Sequence, residues 1–157
     1  MWEALEQMGW VKTLSETGWM YVTVSVIHYL TLFWCVGSMA LVDLRVMGIA
    51  ARKRSLSELS AQLFPWAWTG LVLACISGFF MFATAAGDWA PDPVFHVKLG
   101  MIVISIVFAY LVQRGAPRWA AAPEIPISAK VIAAIALLLW IATILSASEI
   151  PAMEGLG

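Results

Sequence analysis

The stretch Tyr21-Val-Thr-Val-Ser-Val-Ile-His-Tyr-Leu-Thr-Leu-Phe-Trp-Cys-Val-Gly-Ser-Met-Ala-Leu-Val42 decides the fold. A helix needs about 20 mostly apolar residues to cross a bilayer. This run supplies them, and His28 is its one ionisable nitrogen base. Three further runs reach the same length, so four spans are read at about 19–42, 63–86, 94–112 and 127–147. Turn and charge signals separate them: Arg52-Lys-Arg54 with Ser55 and Ser57, then Gly87-Asp-Trp-Ala-Pro-Asp-Pro93, then Arg114-Gly-Ala-Pro-Arg118 through Pro126. Pro65 falls near the first turn of the second span, where its missing N–H costs little.

Composition agrees with the spans. The chain is 62% hydrophobic and 12% charged, against about half and about a quarter in soluble domains, so its solvent is lipid. The expected fold is all-α: one membrane domain over residues 1–157, an integral membrane antiparallel four-helix bundle. Ahead of the first span, Trp2, Leu5, Met8 and Val11 recur at helical spacing, which predicts a short N-terminal interfacial helix. No basic stripe exists beyond Arg52-Lys53-Arg54, so nucleic acid is not an expected partner. The start, Met-Trp-Glu-Ala-Leu-Glu, has no basic n-region, and a cleaved signal peptide is not expected.

Charge sets an orientation. Of nine Lys and Arg, seven (Arg45, Arg52, Lys53, Arg54, Arg114, Arg118 and Lys130) lie on one side. The other side keeps Lys12 and Lys98 with Glu3, Glu6, Glu16, Asp88, Asp92, Glu149 and Glu154. The positive-inside rule then puts both termini on the periplasmic side of a bacterial inner membrane. Asp43 and Arg45 close the first span at the inner edge, where Asp43 is expected to pair with Arg45, Arg114 or Arg118.

Function has to be sought in two histidines. An ionisable residue within a span is costly and is a functional-site hypothesis by default. His28 shares a helix face with Ser25, Cys35 and Ser38, and His96 shares one with Gly100, Val103, Val107 and Tyr110. Gly70, Ser77 and Thr84 offer a third face of small residues. Neutral imidazole is a common haem ligand. A haem between the first and third spans would take His28, with His96 as second ligand or propionate contact. Ser25, Ala74, Ser77 and Gly100 would open its slot, and Lys98 would counter a propionate. The depths differ: His28 lies about 14 Å along its span and His96 only about 3 Å. Copper is the rival metal, since Met20, Met81 and Met153 lie near the outer face and thioether with imidazole suits it. Cys35 and Cys75 read as small apolar residues, and no C-x-x-C, C-x-x-C-H, phosphate loop or H-E-x-x-H occurs. No catalytic residue is nominated.

The stretch from His28 through Trp34, Gly37 and Leu44-Arg45 resembles the first helix of CopD-like membrane proteins. Pro65-Trp-Ala-Trp-Thr-Gly70, Ser77-Gly78 and Pro93-Val-Phe-His-Val-Lys-Leu99 continue that likeness. His96-Val-Lys98 is similar to the His-x-Lys of HemJ-type protoporphyrinogen oxidases. The resemblance spans most of residues 22–112 and implies a haem-b-binding bundle with His28 and His96 at the matching positions. Three readings stand. The first is a b-type haem protein exchanging electrons with a quinone or a periplasmic redox partner. The second is a non-catalytic accessory subunit of a larger membrane complex or homo-oligomer. The third is a copper-handling protein.

Overall fold

A computed structural model describes residues 2–154, with the backbone alone over 146–154. Seven helices are described: α1 (Trp2–Glu6), α2 (Gly9–Glu16), α3 (Gly18–Val46), α4 (Leu56–Ala83), α5 (Ala86–Trp89), α6 (Pro93–Ala120) and α7 (Ile127–Glu154). Four of them, α3, α4, α6 and α7, are long and apolar enough to cross a membrane. The protein is an all-α, multi-pass membrane bundle. Neighbours in sequence run antiparallel: α3 packs most closely on α4, and α6 on α7, while α3 also meets α7 and α4 meets α6.

The long helices exceed the spans read from hydropathy, for local reasons. α4 begins at Leu56 rather than near residue 63, because Leu56, Leu59 and Phe64 bury on one face while Ser57, Glu58 and Gln62 stay in solvent. It ends at Ala83, short of Ala86. α6 starts where Asp92 caps it, its side chain accepting from Val94 N at 2.9 Å with Pro93 at the first position. It continues through Pro117 to Ala120, past the break read at Arg114. Gly115 leaves room there for the Trp119 ring.

α3 ends in a Schellman motif. Gly48 takes φ +76°, its N–H bonds Arg45 O at 3.1 Å, and Ile49 N–H bonds Leu44 O at 2.9 Å. The loop beyond is tied by its own basic side chains: Arg45 Nε donates to Arg54 O at 2.8 Å and Arg52 Nε to Gly48 O. The end of the bundle that carries this loop is called the basic end below; the opposite one is the terminal end.

The apolar core lies toward the basic end. It joins Cys35, Met39, Val42 and Val46 of α3 to Phe64 and Ala67 of α4, Val112 and Ala116 of α6, and Ala133 and Trp140 of α7. Single polar links tie three of the adjacent helix pairs, as is usual where lipid gives helices no hydrophobic reason to associate. His28 binds α4, Trp68 Nε1 donates to Gln113 Oε1 at 2.8 Å between α4 and α6, and Ser105 and Thr143 hydroxyls stand 3.4 Å apart between α6 and α7.

The N-terminal segment is two helices, not one. Met8 is extended and opens α2, so Val11 and Leu14 bury against the bundle while Trp2 and Met8 stay exposed. α1 docks at the terminal end: Glu6 Oε1 accepts from Gly87 N at 2.6 Å. Trp2 meets Phe82 edge-on at 5.7 Å, and Trp10 meets Phe80 at 5.6 Å.

Candidate functional site: the His28 imidazole on helix α4

His28, Thr31 and Cys35 of α3 lie against α4. Ser25, Thr23 and Thr31 hydroxyls are satisfied by carbonyls of the preceding turn, so none of them competes for the imidazole. His28 is different. Its Nδ1 lies 2.9 Å from Ala74 O and 3.1 Å from Ser77 Oγ, both on α4.

The chemistry fixes the tautomer. A carbonyl oxygen only accepts, so Nδ1 carries the proton and donates it. The Ser77 hydroxyl sends its own hydrogen to Leu73 O at 2.7 Å and can accept from the same Nδ1–H. In the neutral ring this leaves Nε2 with its lone pair. A metal-bound histidine almost always makes this second-shell bond, with its other ring N–H on a carbonyl or carboxylate.

Two glycines and an alanine make the seat. A Cβ at Gly78 would lie 3.0 Å from His28 Cε1 and 3.4 Å from Nδ1. Two turns below, a Cβ at Gly70 would lie 3.0 Å from Thr31 O and 3.1 Å from Cys35 N. Gly70, Ala74 and Ser77 are buried, and the close approach they permit brings the Ala74 carbonyl within reach of the ring.

The sequence-read residues separate into two groups. Ser77 touches His28, and Ser25 lies one turn away on the same stripe of α3. Lys98 is partly buried on α6. His96 and Gly100 are not part of this group. They stand with Val103, Val107 and Tyr110 on the exposed face of α6. The inward face of that helix is Ser105, Ala109, Val112 and Ala116. His96 Nδ1 donates to Asp92 O at 2.8 Å within its own first turn. No described atom lies within 4 Å of a Cβ at Gly100.

The metal ligands weighed beside histidine are scattered. No group of three His, Cys, Asp or Glu able to hold a metal occurs among the described residues. Met20 and Met81 are partly buried, and the Met153 side chain lies outside the described residues. Cys35 is buried in the core and Cys75 is exposed; both are free thiols.

Sequence reading placed Ser77 and Ala74 beside His28 and noted the Ser77-Gly78 pair, but it did not say which carbonyl the ring meets or that Gly78 lies against it. A backbone carbonyl carries no sequence signal, whereas a glycine on an apolar helix often marks close approach by a neighbour.

Comparison with known proteins adds a family without an activity. Neither a curated protein nor a solved structure matches the chain. The likeness to CopD-like and HemJ-type proteins therefore rests on the short motifs between His28 and Leu99 alone. Residues 2–150 match a single family across nearly the whole length, and the chain belongs to it: DUF6644, a family of unknown function.

Proposed function

We propose that this protein is a b-type haem-binding membrane protein that passes electrons near the terminal end of its bundle, with His28 Nε2 as the iron ligand. The observation that carries the reading is the 2.9 Å bond from Nδ1 to Ala74 O, which orients the ring and leaves Nε2 as its only free nitrogen. Gly78 and Ser77 hold the ring from the α4 side. Lys98, partly buried on α6, would supply a cation for a propionate. Bound haem would supply one-electron chemistry at iron, with the protein tuning it through the axial ligand and the bonds behind it.

The fit is to a single histidine. His96 lies on the other face of α6, so a bis-histidine site is not part of the proposal. A lipid-soluble quinone or a redox partner on the outer side would exchange the electron. Charge supports an orientation: Arg52, Lys53, Arg54, Arg114, Arg118 and Lys130 share the basic end, which by the positive-inside rule would face the cytoplasm of a bacterial inner membrane, with both termini outside.

One observation favours a second reading. The His28 ring already bonds two groups of α4 and fills the Gly78 groove, which suffices for a helix clamp in an accessory subunit without a cofactor. Haem content separates the two. Protein purified in mild detergent after expression with a haem precursor should give a pyridine haemochrome close to one per chain, and His28→Ala should abolish it. Colourless wild-type protein would discard haem in favour of the clamp.

A further inference from the structure

At the basic end, the close of α3, the start of α4 and the chain between α6 and α7 enclose an open groove of about 240 Å³. Arg45, Ser55, Leu56, Trp119, Glu124 and Ile125 are among the residues that line it. It lies at the opposite end of the bundle from His28 and is independent of the haem reading. Sites for whole small molecules run to about 300–1,000 Å³, so this groove has room for a headgroup rather than a complete lipid.

Its walls are of two kinds. Leu56, which is buried, and the partly buried Trp119 and Ile125 supply apolar surface. A tryptophan at the edge of a span suits the boundary between acyl chains and water. Arg45 and Glu124 supply one charge of each sign. Arg45 is half-buried, and its Nε donates to Arg54 O at 2.8 Å. That bond orients the guanidinium and leaves its two terminal nitrogens without a partner among the described residues. Glu124 is joined to Arg45 by no hydrogen bond or ion pair, although both face the same groove.

The other charges of this end are engaged or turned away. Arg114 donates to the Tyr110 hydroxyl at 2.9 Å. Arg52, Lys53, Arg54, Arg118, Lys130 and Glu58 are exposed and do not line the groove. The excess of cations draws lipid phosphates to this surface, and basic pockets between spanning helices are a usual place for headgroups. A guanidinium recognises phosphate through paired N–H donors. A headgroup that is only anionic would meet the Glu124 carboxylate, whereas one with an ammonium beyond its phosphate satisfies both charges. We propose that this groove seats the headgroup of a phospholipid bearing a primary amine. Its phosphate rests on Arg45, its ammonium donates to Glu124, and its glycerol end lies along Leu56, Trp119 and Ile125. Arg45 gives the affinity for phosphate, and Glu124 selects among headgroups.

Native mass spectrometry of the whole protein in mild detergent tests this, with phosphatidylethanolamine, phosphatidylglycerol and phosphatidylcholine of the same chains as probes. The wild type should retain phosphatidylethanolamine about tenfold more tightly than the other two, the worth of one hydrogen bond to a charged group. Arg45→Gln should lose this binding, and Lys53→Gln, outside the groove, should keep it. Glu124→Gln alters an exposed residue between helices, so it keeps the proposal testable if Arg45→Gln fails to fold. In Glu124→Gln, phosphatidylglycerol should bind as tightly as phosphatidylethanolamine. Equal retention of the three lipids by the wild type, or a preference that survives Glu124→Gln, would overturn the proposal. So would release of the lipid by inorganic phosphate, which would mark a site for the free anion.

Discussion

A Cβ at Gly78 would stand 3.0 Å from Cε1 of the His28 imidazole, so the ring occupies space that α4 leaves free only because residue 78 is glycine. The bond from Nδ1 to the Ala74 carbonyl depends on this fit. Histidine position, tautomer and helix spacing form one arrangement.

Gly78→Ala should push the ring off its carbonyl. Overpacking of this kind costs about 1–3 kcal/mol. Gly100→Ala is the control, since nothing described lies within 4 Å of its Cβ, and it should change stability by less than about 0.5 kcal/mol. Thermal unfolding in detergent compares the two. Equal midpoints would mean that the groove does not hold the ring.

Gly70→Ala should be the more damaging. The new methyl meets Thr31 O and Cys35 N, which are backbone atoms of α3 and cannot rotate aside. The cost should reach the upper end of the overpacking range, about 3 kcal/mol, with α3 and α4 forced apart. A spin-label distance between these helices should lengthen in Gly70→Ala and stay unchanged in Gly100→Ala.

Ser77→Ala removes one of two acceptors and leaves the Ala74 carbonyl in place. A net loss of about 0.5–1.5 kcal/mol follows for a hydrogen bond of this kind. The tautomer survives, so haem binding should survive with it. Nitrogen-15 chemical shifts of His28 in the haem-free protein should report a protonated Nδ1 in both wild type and variant.

Glu6→Ala should free α1 from the terminal end, because the Gly87 amide then loses its carboxylate acceptor. Hydrogen bonds to charged groups contribute about 1.5–3 kcal/mol. Amide exchange over residues 2–8 should rise while exchange in α3 stays as in the wild type. Glu6→Gln, which keeps an acceptor oxygen, should fall between.

The four crossings were legible because twenty-residue apolar runs have one explanation. Helix ends were less so. Leu56 and Leu59 bury on a turn that is otherwise Ser57, Glu58 and Ser60, and hydropathy averaging reads such a turn as loop. Pro117 reads as a stop, yet α6 runs three residues past it to Ala120, giving up only the one bond that an N–H at 117 would make to the Gln113 carbonyl. At the site, periodicity grouped His28 with Ser25 and His96 with Gly100. It could not say which face turned inward, since apolar residues surround α6 on every side. The inward face is the one bearing Ser105 and Ala109, which leaves His96 outside. The ion pair expected of Asp43 failed for a related reason: sequence distance to Arg45 is short, but that guanidinium is drawn to the Arg54 carbonyl.

The central claim is that His28 alone holds a haem. Reduced-minus-oxidised absorption spectra of the wild type, His28→Ala and His96→Ala, each expressed with added haem precursor and purified identically, test it most directly. A Soret band with reduced α and β bands should be present in the wild type, retained in His96→Ala and lost in His28→Ala. A wild type without porphyrin absorption, or a band that survives in His28→Ala, would contradict it.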